Sequence, residues 1–352
     1  MITLHRSLLA GLHHDVPRLD AVHAALQRAI ELEHATIPVY LYAYFSLDAT
    51  KNAEARRILK SVVVEEMLHM VLGANVLNAL GGTPRVAHPD FIPTYPGHLP
   101  GGVEGQLTLH LRPFSLEQLD AFIALEEPVE PIDYERHVAL AEVPAVTIGE
   151  FYQTIANAVT RLAPDSFAPS ARHQVGPELM FGSLSVVDVE SAIVALTTII
   201  EQGEGTSSSP VEIDGPGGQN DFAHFYRLSE LRHGRRLVSV PDAPSVLLSY
   251  EFTGDPIELD PTGVVHLPSD PRASDYANGS TARRIIDDFN ATYTSLLVRL
   301  EQLVNGHNDM ATFMDSLAIM SALEDQARLM TTGIENDGVP LGPSFEFRAT
   351  SG

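Results

Sequence analysis

The stretch LKSVVVEEMLHMVLGANVLNALGG (59–82) decides the fold. It is apolar nearly all the way round at helical spacing, and a helix of that kind belongs in a protein core. Yet Glu65, Glu66 and His69 stand in its middle. Burying carboxylates costs several kcal/mol, on the order of that reported for unpaired ions, unless a cation compensates them. Glu66-x-x-His69 places both side chains on one helix face, the half-site spacing of carboxylate-bridged two-metal sites in helical bundles. Glu65 lies four residues before His69 and is an alternative to Glu66. A role bracing a ligand histidine suits it better.

Working outward, residues 19–48 read as a long helix with Asp20 near its start and Pro38 inside it, where a kink is expected near 34–38 rather than a break. Glu33, Ile37, Tyr40 and Tyr44 share one of its faces. His34 points about 100° away from Glu33 and is expected to bond elsewhere. Gly81-Gly82-Thr83-Pro84 closes the second helix. Residues 88–113 are rich in Pro and Gly, with one short alternating run, 106–111, predicted as a strand. Capping signals predict helices at 115–127 and 147–162. In the loop 163–181, Arg172, His173 and Gln174 form the one cluster suited to meeting a ligand. Residues 185–203 form a third strongly apolar helix and 221–234 a fourth. Residues 240–275 read as an ordered loop or extended arm, and helices at 280–304 and 309–332 close the chain. The expected division is a four-helix domain over 1–239, with an inserted region at about 88–180, followed by an arm and two packed helices over 240–352.

Composition narrows the chemistry. The 352 residues are 44% hydrophobic, an ordinary globular content. A formal charge of -24 with only 22 Lys and Arg argues against a nucleic-acid or anionic-membrane partner. There is no cysteine, so disulfides, thiolate nucleophiles and Cys-based metal sites are excluded. Any metal must be held by carboxylate and imidazole. No leader pattern and no uncharged apolar run of about 18 residues is seen, so a cytoplasmic protein is expected.

A two-metal site needs a Glu from each of two helices and an acid-x-x-His from each of two others. The sequence offers Glu33 on the first helix and Glu66 with His69 on the second. The third supplies Glu201 or Glu204, and the fourth Asp221 with His224. Hard oxygen donors with one imidazole per ion suit iron, with manganese as the alternative, and leave positions open for O2. The bland account, acids solvated on an exposed face, fails for the second helix, which has too little polar surface. It is a fair rival for Asp221, which sits in a first turn where the helix dipole favours a negative charge. Tyr40 and Tyr44 are candidate catalytic residues for redox or substrate positioning, against the usual role of such aromatics as core.

ELEHATIPVYL (31–41), VVVEEMLHMVLGANVLNALGG (62–82), IIEQGEGT (199–206) and FAHFYRLSEL (222–231) together resemble the ferritin-like domain family of iminophenyl-pyruvate dimer synthase, over most of residues 19–235. FNATYTSLLVRL (289–300) is similar to the segment that follows in such proteins. The resemblance implies a mainly α, ferritin-like four-helix core with insertions and extra C-terminal helices. It also implies oxidative or imine-coupling chemistry on an amino-acid-derived substrate. Where the family is expected to carry Glu-x-x-His in the fourth helix, this chain has Asp221.

The function expected is therefore a non-haem di-iron or di-manganese oxidase or oxygenase of specialised metabolism, with O2 as co-substrate and a small molecule held under the 88–180 insertion. Rival readings are an iron-oxidising, metal-handling protein and a metal-free protein that couples imino acids. Homo-oligomerisation is left open.

Overall fold

The computed structural model describes residues 3–102, 107–128, 145–168, 172–205, 210–211, 221–240 and 250–348, with the side chains of residues 145, 164 and 204 outside the description. The first two helices, α1 (Leu19–Ser46) and α2 (Ala53–Ala79), form a hairpin. Its antiparallel sense is fixed at both ends: the His23 ring meets the Leu80 carbonyl at 2.8 Å, and Arg56 donates to the Tyr44 carbonyl at 2.9 Å. Pro38 is absorbed within α1, which continues unbroken. Carbonyls in the turn before it find other donors, the Thr36 hydroxyl on Glu33 and the Tyr95 hydroxyl on Ala35.

Helix α2 has the length and apolarity of a membrane span, but 89% of its most apolar window is buried inside the protein. Its approach to α1 is close at Gly73, where an added Cβ would stand 3.2 Å from Ile30 Cγ1. Buried Asn75 binds the backbone of Val175 and Leu184 through both ends of its amide. Arg172, His173 and Gln174, the loop cluster singled out above, likewise serve structure: Arg172 donates to the carbonyls of Gly81 and Gly82, the His173 carbonyl accepts from Asn78, and Gln174 bonds Asn75 and Val186.

After a short helix α3 (Leu116–Leu125), α4 (Ile148–Val159) and α5 (Val189–Glu204) pack on each other. Helix α4 also meets α1, and α5 meets α2, which closes a four-helix ring. The sequence reading expected the fourth wall from residues 221–234. Instead α4 supplies it, opened by a capping box between Thr147 and Glu150. The 221–234 segment yields only a short helix, α6 (His224–His233), which packs against α2, α3 and α5 and ends at Gly234 in the left-handed conformation.

A second hairpin, α7 (Thr281–Val304) and α8 (Met310–Gly333), covers the outer face of α1 and α2. One apolar core runs continuously from Leu4 to Phe345. Among the described residues the regular β-structure is three two-stranded antiparallel ribbons: β1 (Leu4–His5) with β2 (Ala145–Val146), β3 (Val238–Ser239) with β4 (Tyr250–Glu251), and β5 (Glu335–Asn336) with β6 (Val339–Pro340). The strand expected at 106–111 reduces, within its described part, to one pair of backbone bonds between Gly97 and Leu109. Its alternation arises from Leu109 and Leu111 entering the core from an otherwise irregular loop.

Candidate metal centre

Among the described residues, two groups of buried donors are gathered closely enough to share a cation: Glu33, Glu66 and His69, and Glu66, Glu126 and His224. Glu66 belongs to both and divides its oxygens between them. Its Oε2 lies 3.8 Å from His69 Nδ1, and its Oε1 lies 3.1 Å from His224 Nδ1. The outer carboxylates repeat the arrangement. Glu33 Oε2 is 3.4 Å from His69 Nδ1, and Glu126 Oε2 is 3.6 Å from His224 Nδ1. The two imidazoles lie 5.4 Å apart, centroid to centroid, and are nearly parallel.

The four donors other than Glu66 are braced from behind. Tyr152 of α4 donates its hydroxyl to Glu33 Oε1, and Tyr40 of α1 donates to Glu126 Oε1, leaving both Oε2 atoms turned inward. His69 Nε2 meets Gln202 Oε1 of α5 at 3.0 Å. His224 Nε2 meets Glu65 Oε2 at 2.8 Å, and Glu65 is in turn clamped by both terminal nitrogens of Arg227. Such partners fix ring orientation and leave Nδ1 of each histidine as the inward-facing nitrogen. His224 Nδ1 is buried with no hydrogen-bond partner, which is the condition of a nitrogen placed for a cation.

The electrostatics agree. Burial pushes Glu66 up to about 7, helped by the charges of Glu126 and Glu33. Burial opposes a charged His69, yet Glu33 and Glu66 outweigh it and hold the imidazole at about 10. His224 is raised well above the ordinary range, against burial, by Glu126, Glu65 and Glu66. Glu65 is held down at about 2, again against burial, by His224 and Arg227. Without a metal, protons on the imidazoles balance carboxylates that cannot all carry charge together. Tyr40 and Tyr152 are raised well above 10, by burial first and then by the neighbouring carboxylates, so both remain neutral donors.

Four residues singled out in the sequence, Glu33, Glu66, His69 and His224, are thus brought together, with Tyr40 on their rim. Three others stand elsewhere. Asp221 precedes α6, so the i, i+3 rule that would align it with His224 does not apply there. Its side chain is 41% exposed and lies 3.9 Å from Arg227. Glu201 is half-buried and outside both donor groups, because α5 turns Gln202, the next residue, toward His69. Tyr44 bonds Glu324 of α8 at 2.7 Å, away from the donors. Glu204 ends α5, and its side chain lies outside the described residues.

Sequence reasoning missed Glu126, Gln202 and Tyr152. Glu126 caps the C-terminus of α3. It follows buried Leu119 and Phe122 by seven and four residues, the same sign of a carboxylate on an apolar face that marked Glu66.

Beside the donors lies a cavity of about 40 Å3, bounded by Leu99, Leu125, Ile148 and Tyr152 on one side and by Ile199 and Gly203 of α5 on the other. A single water occupies about 10–15 Å3 by the same kind of measure, so a molecule the size of O2 fits.

A family model described as ferritin-like matches residues 26–233. The chain is 24% identical to dichlorochromopyrrolate synthase of Lentzea aerocolonigenes, over 94% of this chain and 36% of that protein. It is 26% identical to 2-imino-3-(indol-3-yl)propanoate dimerase of Chromobacterium violaceum, over 63% of this chain and 24% of that protein. The chain therefore spans about a third or less of the length of these enzymes. A ferritin-like protein from Caulobacter vibrioides shares its fold with a TM-score of 0.59 at 21% identity, covering 91% of this chain and 99% of that one.

Proposed function

The chain belongs to the ferritin-like family, and we propose from that premise that it is an oxygen-dependent enzyme with two non-haem irons, manganese being the alternative, that oxidises a small amino-acid-derived metabolite. The observation that carries this reading is Glu66, which offers one oxygen to each of two three-donor groups. Glu33, Glu66 and His69 would hold one ion, and Glu66, Glu126 and His224 the other. The donor set fits, being all carboxylate and imidazole, buried, and including an orphaned imidazole nitrogen. The chemistry supplied by the bound pair is reduction of O2 coupled to oxidation of the substrate.

The chain's own residues do the rest. Tyr40 and Tyr152 hold the outer carboxylates in one orientation, while Gln202 and the Glu65–Arg227 pair hold the imidazoles. The apolar wall of Leu99, Leu125 and Ile148 shields the donors from bulk water; the expected substrate-holding stretch, 88–180, lies in part outside the described residues. The name of the Chromobacterium violaceum enzyme, a 2-imino-3-(indol-3-yl)propanoate dimerase, supports an imino acid with an aromatic side chain as the substrate class. The reading needs no nucleic-acid or membrane partner and is compatible with a cytoplasmic setting.

The test is anaerobic reconstitution with Fe(II), removal of unbound metal, and O2 uptake with an imino acid generated from phenylalanine or tryptophan. Two irons per chain and substrate-dependent O2 consumption are expected. Failure to retain either iron or manganese rejects the reading.

A further inference from the structure

On the face of α2 opposite Glu66 and His69 lie two adjoining cavities of about 440 and 290 Å3, enclosed between the α1–α2 and α7–α8 hairpins. They share the side chains of Val64, Met67, Met70, Leu300, Leu317 and Met320, so together they make one elongated apolar space. Its size is that of ligand pockets, roughly 300–1,000 Å3. Unbranched thioethers on facing helices give it walls that adapt to a flexible apolar body. The inner wall is closed by His34 and Tyr293, whose ring nitrogen and hydroxyl are 2.6 Å apart. This bond ties α1 to α7 behind the metal donors.

One end of the space is polar and reaches solvent. There Tyr44 donates to Glu324 at 2.7 Å, Lys60 lies 3.4 Å from the same carboxylate and Arg56 3.9 Å from it. Arg56 is anchored, stacked 3.9 Å over the Tyr44 ring and donating to the carbonyls of Tyr44 and Leu47. Lys60 is 58% exposed along its side chain. Two cations thus share one carboxylate, a local positive excess in a chain whose formal net charge is -24. Apolar depth with a cationic mouth is the complement of an anion on an apolar tail.

We propose that the space between the two hairpins binds an amphipathic monocarboxylate, its alkyl or arylalkyl body lying between α2 and α8 and its carboxylate at Lys60 and Arg56. This site is separate from the metal centre and does not depend on the reaction assigned there.

Isothermal titration with dodecanoate below its micelle concentration tests the proposal on the full chain, with and without metal. Saturable one-to-one binding is expected. Lys60→Glu should weaken it about tenfold, the order expected when an attractive charge is exchanged for a repulsive one at a half-exposed site. Dodecanol, with the same tail and no charge, should bind more weakly and be indifferent to Lys60→Glu. Met320→Trp, which fills the junction of the two cavities, should abolish binding of both probes while the circular dichroism spectrum stays unchanged. Equal binding of dodecanol and dodecanoate would overturn the anionic assignment, and dodecanoate binding untouched by Met320→Trp would overturn the location. No binding, with the chain running as a dimer that Leu317→Asp dissolves, would assign this face to a second copy and overturn the proposal.

Discussion

Replacing Glu126 by Gln separates the centre built by the structure from the one suggested by sequence spacing. The substitution keeps side-chain volume and leaves an oxygen to accept from Tyr40, but it turns the inward Oε2 into an amide nitrogen that cannot ligate. The position then keeps only Glu66 Oε1 and His224 Nδ1. Loss of a residue that merely orients a ligand costs about 10–100-fold in affinity. Loss of the ligand itself should cost at least the upper value, about 2.8 kcal/mol at 1.4 kcal/mol per decade. The fold should not suffer, because Glu126 is one of the charges that drive Glu66 up to about 7, and removing it relieves like-charge repulsion in the metal-free protein. Chelator competition followed by metal analysis should find about one tightly held ion in Glu126→Gln and two in Asp221→Asn. Two ions retained in Glu126→Gln, or one lost in Asp221→Asn, would refute the reasoning.

Other outcomes follow from the same geometry. Arg227→Met leaves Glu65 buried, with only His224 as a partner for its charge, and should destabilise the protein by roughly 3–5 kcal/mol in urea unfolding at neutral pH. A change below about 1 kcal/mol would mean the pair is solvated. Tyr152→Phe should weaken the ion at Glu33 and His69 by about 10–100-fold, with no loss at the other position. Because His69 and His224 are held protonated by their carboxylates when no metal is present, metal binding at pH 7 should release a proton from each. Titration calorimetry in buffers of different ionisation enthalpy measures that release directly, and a heat independent of buffer contradicts it.

Much of the fold was legible in the sequence because its helices advertise themselves. Capping residues at Ser115, Thr147, Ser280 and Asp309 fix the starts of α3, α4, α7 and α8, and the apolar run of α2, interrupted by Glu65, Glu66 and His69, reads as a core helix. Glu33, Glu66 and His69 were visible for the same reason, as charged residues on faces that have nowhere to go but inward. The centre's other half was obscured by two local facts. Asp221 mimics the acid-x-x-His spacing, but its backbone is not helical, so spacing carries no direction there. Glu126 stands at the end of a short helix before Pro128, next to Glu127, where a solvated acidic end is the ordinary reading. Only the packing of α3 on α6 shows that it turns into the bundle. Which of Glu201 and Gln202 faces His69 depends on the rotation of α5 about its axis, which the helical period alone does not set. Tertiary contacts with α2 and α4 set it.

The most direct measurement is a crystal structure of the iron- or manganese-loaded protein with anomalous diffraction at the metal edge. Two peaks are expected on either side of the Glu66 carboxylate, about 3.5–4 Å apart, one touching Glu33 and His69 and the other Glu126 and His224. A single peak, a pair bound through Glu201 or Asp221, or no peak among these donors would contradict that assignment.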